Sequence, residues 1–243
     1  MALPILETAT YELTLPSADV KVKYRPFLVK EEKVLLQALE ANDDVEIKNA
    51  IKDIVSTCTF GQVDAGKLPT FDLEYIFLQI RAKSVGETAT IRLLCPDDKE
   101  TYTNKEIDLT KVDVQVDDSH SNEIKVNDKI KIIMKYPTID TVDPKKNIRG
   151  MKTEQVFDMI ASCIHSIYDG EQQHNIKDYA KEELDKFIEN LDRATFDKIN
   201  KFFETMPQLR HEVEIENPKT KVKSKVVLKG AQDFFVLPSL TTA

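Results

Sequence analysis

The chain contains little cysteine and little glycine. Its three cysteines, Cys58, Cys95 and Cys163, are scattered and odd in number, which argues against a disulfide framework and for reduced thiols in a cytoplasm. The sequence has only 6 glycines and no stretch rich in glycine and serine. We therefore expect any subdomains to pack against one another rather than to be joined by a flexible linker.

Long apolar runs are also absent from the sequence. No run approaches the roughly 20 apolar residues of a membrane-spanning helix. The first residues, MALPILETATYEL, lack the basic leader and the long apolar core of a secretory signal. We expect no membrane span, and we expect the protein to be made and used in a cytoplasm.

The sequence contains fewer basic than acidic residues. Lysine and arginine total 34 against 42 aspartate and glutamate residues, so the formal net charge is -8. A field of this sign repels nucleic acid and anionic membranes. The exception is the lysine-rich segment KVKSKVVLK, residues 221–229. Nucleic-acid binding there is an alternative to pairing with the glutamates of RHEVEIE across a hairpin.

Motifs of catalysis are missing as well. The sequence contains no G-x-x-x-x-G-K-[ST], G-x-G-x-x-G or G-x-S-x-G, and its 4 histidines show no H-E-x-x-H spacing. These absences remove the usual support for a phosphate-binding or hydrolase site, and we expect no catalytic residue and no cofactor. The segment LLCPDDKETY leaves one alternative open, because Cys95-Pro96 resembles half of a zinc knuckle whose other half is absent. A metal-dependent accessory enzyme or a zinc-stabilised protein is that alternative.

The apolar periodicity predicts an α+β fold. Alternating polarity around Pro16-Ser17-Ala18-Asp19 predicts an N-terminal β-hairpin. Three helices follow, over residues 30–40, 44–58 and 71–83, and Gly61 is expected to stop the second one. The third helix, FDLEYIFLQIRAK, carries apolar residues on more than one face, so it is either central to the fold or covered by another chain.

Strands and further helices are predicted after Gly86. Alternating segments from TATIRLL to EIKVNDKIKIIMKYP predict a central antiparallel sheet. Helical spacing returns over residues 148–164, 179–191 and 194–206, and Asn217-Pro218-Lys219-Thr220 predicts a terminal hairpin turn. We expect three parts. Residues 1–86 form an N-terminal part with the hairpin and three helices, residues 87–147 form an antiparallel β module, and residues 148–243 form a helical C-terminal part with a terminal hairpin.

Apolar residues on the early elements form the predicted binding site. Pro26 stops the hairpin ladder because it has no N–H, which places large apolar residues at the junction with the first helix. One interpretation places these residues and the third helix in the core. The other interpretation makes them a docking surface for a partner. We expect one composite docking surface, formed by Tyr24, Arg25, Pro26, Phe27, Leu28, Phe71, Tyr75, Phe77 and Leu78.

Four long stretches carry a resemblance to a known family. They are VKYRPFLVKEEKVLLQALE, CTFGQVDAGKLPTFDLEYIFLQIRAKSVGE, CIHSIYDGEQQHNIKDYAKEELDKFIENL and FFETMPQLRHEVEIENPKT. In this order they resemble the baseplate hub subunit and hub assembly proteins of T-even-type contractile-tailed bacteriophages. The stretches are packing motifs and name no catalytic residue.

The resemblance implies a virus-encoded protein without enzymatic activity. Its partners would be other baseplate hub proteins, with no nucleic acid among them, and it would oligomerise with copies of itself or with those proteins. It would act in the cytoplasm of the infected host bacterium during tail assembly. Whether it then remains in the tail baseplate of the virion or leaves as an assembly factor stays open.

Overall fold

The chain mixes helices with antiparallel sheets, as the apolar periodicity predicts. The structure, a computed structural model, describes residues 7–41, 43–141 and 152–234. Hydrogen-bonded ladders join the strands into antiparallel sheets, with a hairpin near the N-terminus and another in the C-terminal part. The α+β fold class is confirmed.

Contacts divide the chain into two compact units, one of which is discontinuous. The first unit comprises Met1–Gln115 and Gln208–Ala243, and the second comprises Val116–Pro207. The first unit is discontinuous because the terminal hairpin pairs with a strand ending at Gln115. The expected boundary between residues 147 and 148 lies outside the described residues. The division into residues 1–86, 87–147 and 148–243 stays a prediction.

The first unit contains most of the strands. Its elements are β1 (Tyr11–Thr14), β2 (Lys21–Tyr24), α1 (Val29–Ala41), α2 (Asp44–Cys58), α3 (Thr70–Val85), β3 (Thr88–Leu94), β4 (Tyr102–Asp108), β5 (Asp113–Gln115), β10 (Gln208–Glu216) and β11 (Lys223–Lys229). Strands β1 and β2 form the N-terminal hairpin, β3 pairs with β4, and the third sheet has the order β11-β10-β5.

Helix α3 lies in the core of the first unit. It contacts α2, β5 and β10. Apolar residues occur around its whole circumference, and a helix of this kind is stable in water only when all its faces are covered. Its deeply buried side chains are Phe71, Leu73, Ile76, Phe77, Leu78 and Ile80.

The terminal hairpin is held at its turn by the loop between β3 and β4. Asn217 Nδ2 donates to both carboxylate oxygens of Asp97, each at 3.0 Å. In the ladder, Glu214 lies opposite Lys225, and Lys225 Nζ also reaches Glu212 Oε1 diagonally at 2.6 Å. The lysines of β11 are thus neighbours of the glutamates of β10.

The second unit packs one antiparallel sheet against helices. The sheet has the order β6-β7-β8-β9, and a register shift interrupts β7 between Ile133 and Met134. A single apolar cluster joins the sheet to the helices. The elements are β6 (Glu123–Lys125), β7 (Ile130–Met134), α4 (Thr153–Cys163), β8 (Ile164–Asp169), β9 (Gln172–Asn175), α5 (Lys181–Glu189) and α6 (Arg193–Thr205).

Candidate partner-binding surface

A buried ion pair shapes the junction between β2 and α1. Arg25 Nη2 lies 3.0 Å from Glu31 Oε1, and both side chains are about nine-tenths buried. Arg25 Nη1 also donates to the Pro26 carbonyl at 2.8 Å. Glu31 Oε2 accepts from the Leu28 N–H at 2.7 Å, so Glu31 satisfies the backbone donor just before α1. The pair therefore fixes where the strand ends and where the helix begins.

Glu31 is ionised in this pair. Burial raises the pKa of its carboxyl group, but the Arg25 hydrogen bond, the Leu28 N–H and the charges of Arg25 and Lys30 outweigh burial and lower the pKa overall. A carboxylate with a lowered pKa is held in its charged form at neutral pH. The junction is thus a charged, hydrogen-bonded structural feature, and this explains the sequence YRPFLVKEE in physical terms.

Two backbone hydrogen bonds tie the same junction to neighbouring helices. The Arg25 N–H donates to the Cys58 carbonyl at the end of α2, at 2.9 Å. The Phe27 N–H donates to Ser84 Oγ in the last turn of α3, at 2.8 Å. The junction therefore lies at the C-terminal end of α3. Phe71 is thirteen residues earlier in that helix, which corresponds to about 20 Å at 1.5 Å per residue.

The structure places the predicted docking residues in three environments. Leu28 is 39% exposed. Pro26, Phe27 and Tyr75 are half-buried. The others are buried inside the first unit: Tyr24, Arg25, Phe71, Phe77 and Leu78.

Burial limits which of these residues can reach a partner. Phe71, Phe77 and Leu78 are each at most 2% exposed, and the helix that carries them contacts α2, β5 and β10. In this conformation they stabilise the first unit, and of the predicted set Leu28 presents the most exposed surface. The docking role of the whole set stays a prediction.

Several large apolar side chains outside the predicted set are more exposed than Leu28. Among the described residues they include Val29, Val45 and Phe60, and Phe60 is the only phenylalanine in this group. Phe60 follows the C-terminus of α2 and is 53% exposed. Sequence patterns do not single it out, because a phenylalanine after an apolar helical stripe is usually buried.

The backbone at Phe60 is unusual. Its φ angle is 57°, in the left-handed region, and the φ angle of Gly61 is 69°. The Gly61 N–H donates to the Ser56 carbonyl at 2.8 Å and the Phe60 N–H to the Thr57 carbonyl at 3.2 Å, which is a Schellman helix end. The predicted range 44–58 matches α2, and the first left-handed residue after the helix is Phe60, with Gly61 next to it. Phe60 occupies the place where glycine is usual, at a cost of about 1–2 kcal/mol for an L-residue.

Cys95, the residue of the metal alternative, is buried in the loop between β3 and β4. Its N–H donates to the Thr101 carbonyl at 2.8 Å, and its carbonyl accepts from the Lys99 N–H at 3.0 Å. Burial raises the pKa of its thiol, and the carboxylates of Asp97 and Asp98 raise it further. The thiol is therefore protonated at neutral pH in the metal-free chain.

The acidic residues beside Cys95 have structural partners. Thr220 and Asn217 donate to Asp97 and lower its pKa, and Thr101 and the backbone N–H groups of Thr101 and Glu100 do the same for Asp98. In the part of the chain that the structure describes, no group of three or more histidine, cysteine, aspartate or glutamate residues could hold a metal ion.

The other two cysteines are also buried. Burial raises the pKa of the Cys58 thiol and of the Cys163 thiol to about 11. Both therefore remain protonated at neutral pH, and neither has the lowered pKa of an activated thiol.

His120 of the second unit lies within hydrogen-bond distance of two side-chain hydroxyls. His120 Nδ1 lies 3.0 Å from Thr205 Oγ1, and its Nε2 lies 3.0 Å from Tyr136 Oη. Burial lowers the pKa of His120, against the opposing effect of Asp117. A neutral imidazole that donates at one nitrogen and accepts at the other fits this position.

A groove of about 300 Å³ lies between the sheet of the second unit and α5. The hydrogen bond between His174 Nδ1 and Tyr179 Oη, at 2.6 Å, lies in its wall, with the carboxylates of Asp169 and Glu183. The rest of the wall is apolar: Ile130, Ile167, Ile176, Leu184 and Phe187. The groove can accept an apolar group, but it brings together no nucleophile and activating base.

Comparisons with known proteins identify a family. In the described residues, no helix combines the length and the apolar character that crossing a membrane requires. Searches of curated proteins and of solved structures find no significant match. A family model described as T4 bacteriophage base plate protein matches residues 8–236. Because this match spans nearly the whole chain, the protein belongs to the T4 bacteriophage base plate protein family.

Proposed function

We propose that this phage baseplate protein is a non-enzymatic component of the baseplate hub, which acts by binding other hub proteins in the assembly or in the finished structure. The observation that carries the proposal is the family match over residues 8–236, which includes residues of both units. The resemblance of four long stretches to hub subunits supports the narrower assignment to the hub.

The contacts of the reactive side chains are consistent with a role in binding. The Cys58, Cys95 and Cys163 thiols have raised pKa values, which disfavours their use as nucleophiles. Glu31 serves the β2–α1 junction, and Asp97 holds the turn of the terminal hairpin. These groups hold the fold together and leave recognition of other proteins as the favoured role.

The protein acts, in this proposal, in the cytoplasm of the infected host during tail assembly. Its continued presence in the tail baseplate would make it a structural subunit, and its loss would make it an assembly factor. Mass spectrometry of purified virions beside infected-cell lysate distinguishes the two roles. A structural subunit is expected in both samples, whereas an assembly factor is expected only in the lysate.

Co-expression with individual hub proteins of the same phage tests the proposed function. A tagged wild-type chain is expected to co-purify with at least one hub protein and to leave a tail-tube protein, the matched control, in the flow-through. Capture of no hub protein would contradict the proposal. Capture of the tail-tube protein to the same extent would indicate non-specific adhesion and would contradict it as well.

A further inference from the structure

We propose that the free edge of β3 pairs with β3 of a second copy of the chain and so forms an antiparallel dimer. The inference goes beyond the proposed function and does not depend on it. In the part of the chain that the structure describes, β3 and β4 form a sheet of two strands, so each has a partner on one side only. An unpaired strand edge presents a row of backbone donors and acceptors, which another extended strand can satisfy.

The hydrogen bonds at the two ends of this hairpin show which residues of β3 point outward. The Cys95 N–H donates to the Thr101 carbonyl at 2.8 Å, and the Leu109 N–H donates to the Glu87 carbonyl at 2.7 Å. Opposite residues of an antiparallel pair alternate between bonded and non-bonded pairs. The odd-numbered residues of β3 therefore direct their backbone groups to β4. The outward donors and acceptors belong to the even-numbered residues: Thr88, Thr90, Arg92 and Leu94.

The edge of β3 is fixed before any partner binds. Ala89, Ile91 and Leu93, which alternate with the outward residues, are each at most 7% exposed and belong to an apolar cluster of the first unit. Their burial holds the strand in its extended conformation. Little conformational freedom is therefore lost when the edge pairs.

Strand β3 lacks the protection that the other outer strands of the described sheets carry. Natural proteins protect such edges by making them short or by placing charged residues on them. Strands β1, β2, β5, β6 and β9 have at most four residues. Strand β4 carries Lys105, Glu106 and Asp108, and β11 carries three lysines. Strand β3 has seven residues and a single charged one, Arg92.

The side chains of β3 match those of a second copy of the same strand. An antiparallel pair centred on Ile91 brings these residues opposite each other: Thr88 with Leu94, and Thr90 with Arg92. No like charges are directly opposite in this register. Leu94 is 41% exposed in the single chain, and in the dimer it would pack against the methyl group of Thr88 from the other copy.

The charged groups around the pair are compatible with this register. The two Arg92 side chains are diagonal to each other, but each guanidinium lies over the ring of Tyr102 in β4, 4.3 Å from its centroid, and is thereby drawn away from the other copy. Glu106 lies opposite Thr90 within the chain, so it would be two strand spacings, roughly 10 Å, from Arg92 of the other copy. The two Lys105 residues would be three spacings apart, roughly 14 Å, where salt screens their repulsion.

Sedimentation equilibrium of the full chain measures the dimer, and proline substitutions locate it. We expect a Kd on the order of 10 μM, because a single strand pair buries less surface than a standard interface. Thr90→Pro removes an outward N–H and blocks the edge without removing a hydrogen bond to β4, so it should weaken the dimer at least about 30-fold. Asn104→Pro, the matched control, changes an outward position of β4 and should leave the dimer unchanged.

A pair of charge substitutions tests the second copy and the register. Thr90 faces Arg92 of the other copy, so Thr90→Lys should weaken the dimer about fivefold and Thr90→Glu should strengthen it about fivefold. Within the chain the same position lies opposite Glu106, so the lysine should stabilise the monomer and the glutamate should destabilise it. Thermal denaturation below the Kd measures this opposite order and separates pairing from folding.

Several outcomes would overturn the inference. A wild-type chain that stays monomeric at concentrations about tenfold above the expected Kd would do so. A dimer that Thr90→Pro leaves intact, or that Asn104→Pro weakens equally, would assign the contact to another surface. Equal effects of Thr90→Lys and Thr90→Glu on the dimer would show that Arg92 of a second copy does not face this position, and these two variants decide if Thr90→Pro fails to fold. Capture of a hub protein by a monomeric chain would support the proposed function and contradict this inference, so the two can fail separately.

Discussion

Helix α3 and the turn after α2 belong to the same unit and carry the same kind of side chain in opposite environments. Phe71 and Phe77 of α3 are at most 2% exposed, whereas Phe60 is 53% exposed. The difference arises from the backbone. A helix with apolar residues on all faces is surrounded by other elements, while a Schellman turn ends a helix at the surface and turns its side chain away from the helix. Whether an aromatic residue is buried therefore depends on the element that carries it as much as on its apolar character.

The largest effect is expected when the same substitution is made at Phe77 and at Phe60. Phe77→Ala leaves a cavity in the core of the first unit and should lower the free energy of unfolding by about 3–5 kcal/mol. Phe60→Ala removes a half-exposed ring and should lower it by about 1 kcal/mol or less. Urea denaturation monitored by circular dichroism measures both values. Equal losses for the two variants would remove the distinction between the core helix and the exposed turn.

A smaller effect is expected at the β2–α1 junction, which is hydrogen-bonded to the C-terminal ends of α2 and α3. Glu31→Gln leaves the Arg25 guanidinium without its buried counter-charge and should lower the free energy of unfolding by about 3 kcal/mol at neutral pH. The pKa of Glu31 is lowered in the folded chain, so its stabilisation is present above the unfolded value of 4.5 and is lost as the pH falls through the folded value. The difference between wild type and Glu31→Gln should therefore shrink on acidification.

Denaturation of both proteins from neutral to acid pH checks this second prediction. The matched control is Glu12→Gln, because Glu12 pairs with Lys21 at an exposed site of the β1–β2 hairpin. An exposed pair contributes little, so the control should change stability by less than about 1 kcal/mol. A Glu31 variant as stable as this control would show that the junction does not depend on the ion pair.

The smallest effect is expected at the N-terminal end of α3, where Asp72 is fully buried. Burial raises the pKa of Asp72, and the Ser17 hydroxyl and N–H, which donate to its carboxylate, lower it in part. Ser17→Ala removes the hydroxyl donor and should lower the free energy of unfolding by about 1.5–3 kcal/mol at neutral pH. Chemical denaturation measures the loss.

The pH dependence of this third effect has a definite sign. A raised carboxyl pKa gives stability that is present below the unfolded value of 3.8 and lost as the pH rises through the folded value. Ser17→Ala raises the folded pKa further, so its loss relative to wild type should grow from acid to neutral pH. A loss that is constant across this range would mean that the hydroxyl does not bind the ionised carboxylate.

Local patterns in the sequence predict the elements well. The alternation around Pro16-Ser17-Ala18-Asp19 and the turn Asn217-Pro218-Lys219-Thr220 both correspond to hairpins, and the helical spacing of residues 44–58 corresponds to α2. These features depend on neighbouring residues, whose preferences the sequence contains directly.

Long-range pairing and exposure are harder to predict. The pairing of β5 with β10 joins residues nearly a hundred positions apart, and no local pattern specifies it. The apolar surplus of α3 fits a core helix and a docking helix equally well, because composition does not say which elements cover it. Helix α2 ends at Cys58, as the range 44–58 predicts, but the exposure of Phe60 two residues later depends on tertiary packing, which no local pattern specifies.

Hydroxyl-radical footprinting of the chain, alone and in the assembled hub complex, tests the central claim most directly. The account predicts that Phe60 is oxidised in the free chain, while Phe71 and Phe77 are unreactive both in the free chain and in the complex. Phe60 unreactive in the free chain, or Phe77 reactive there and protected only in the complex, would contradict the account.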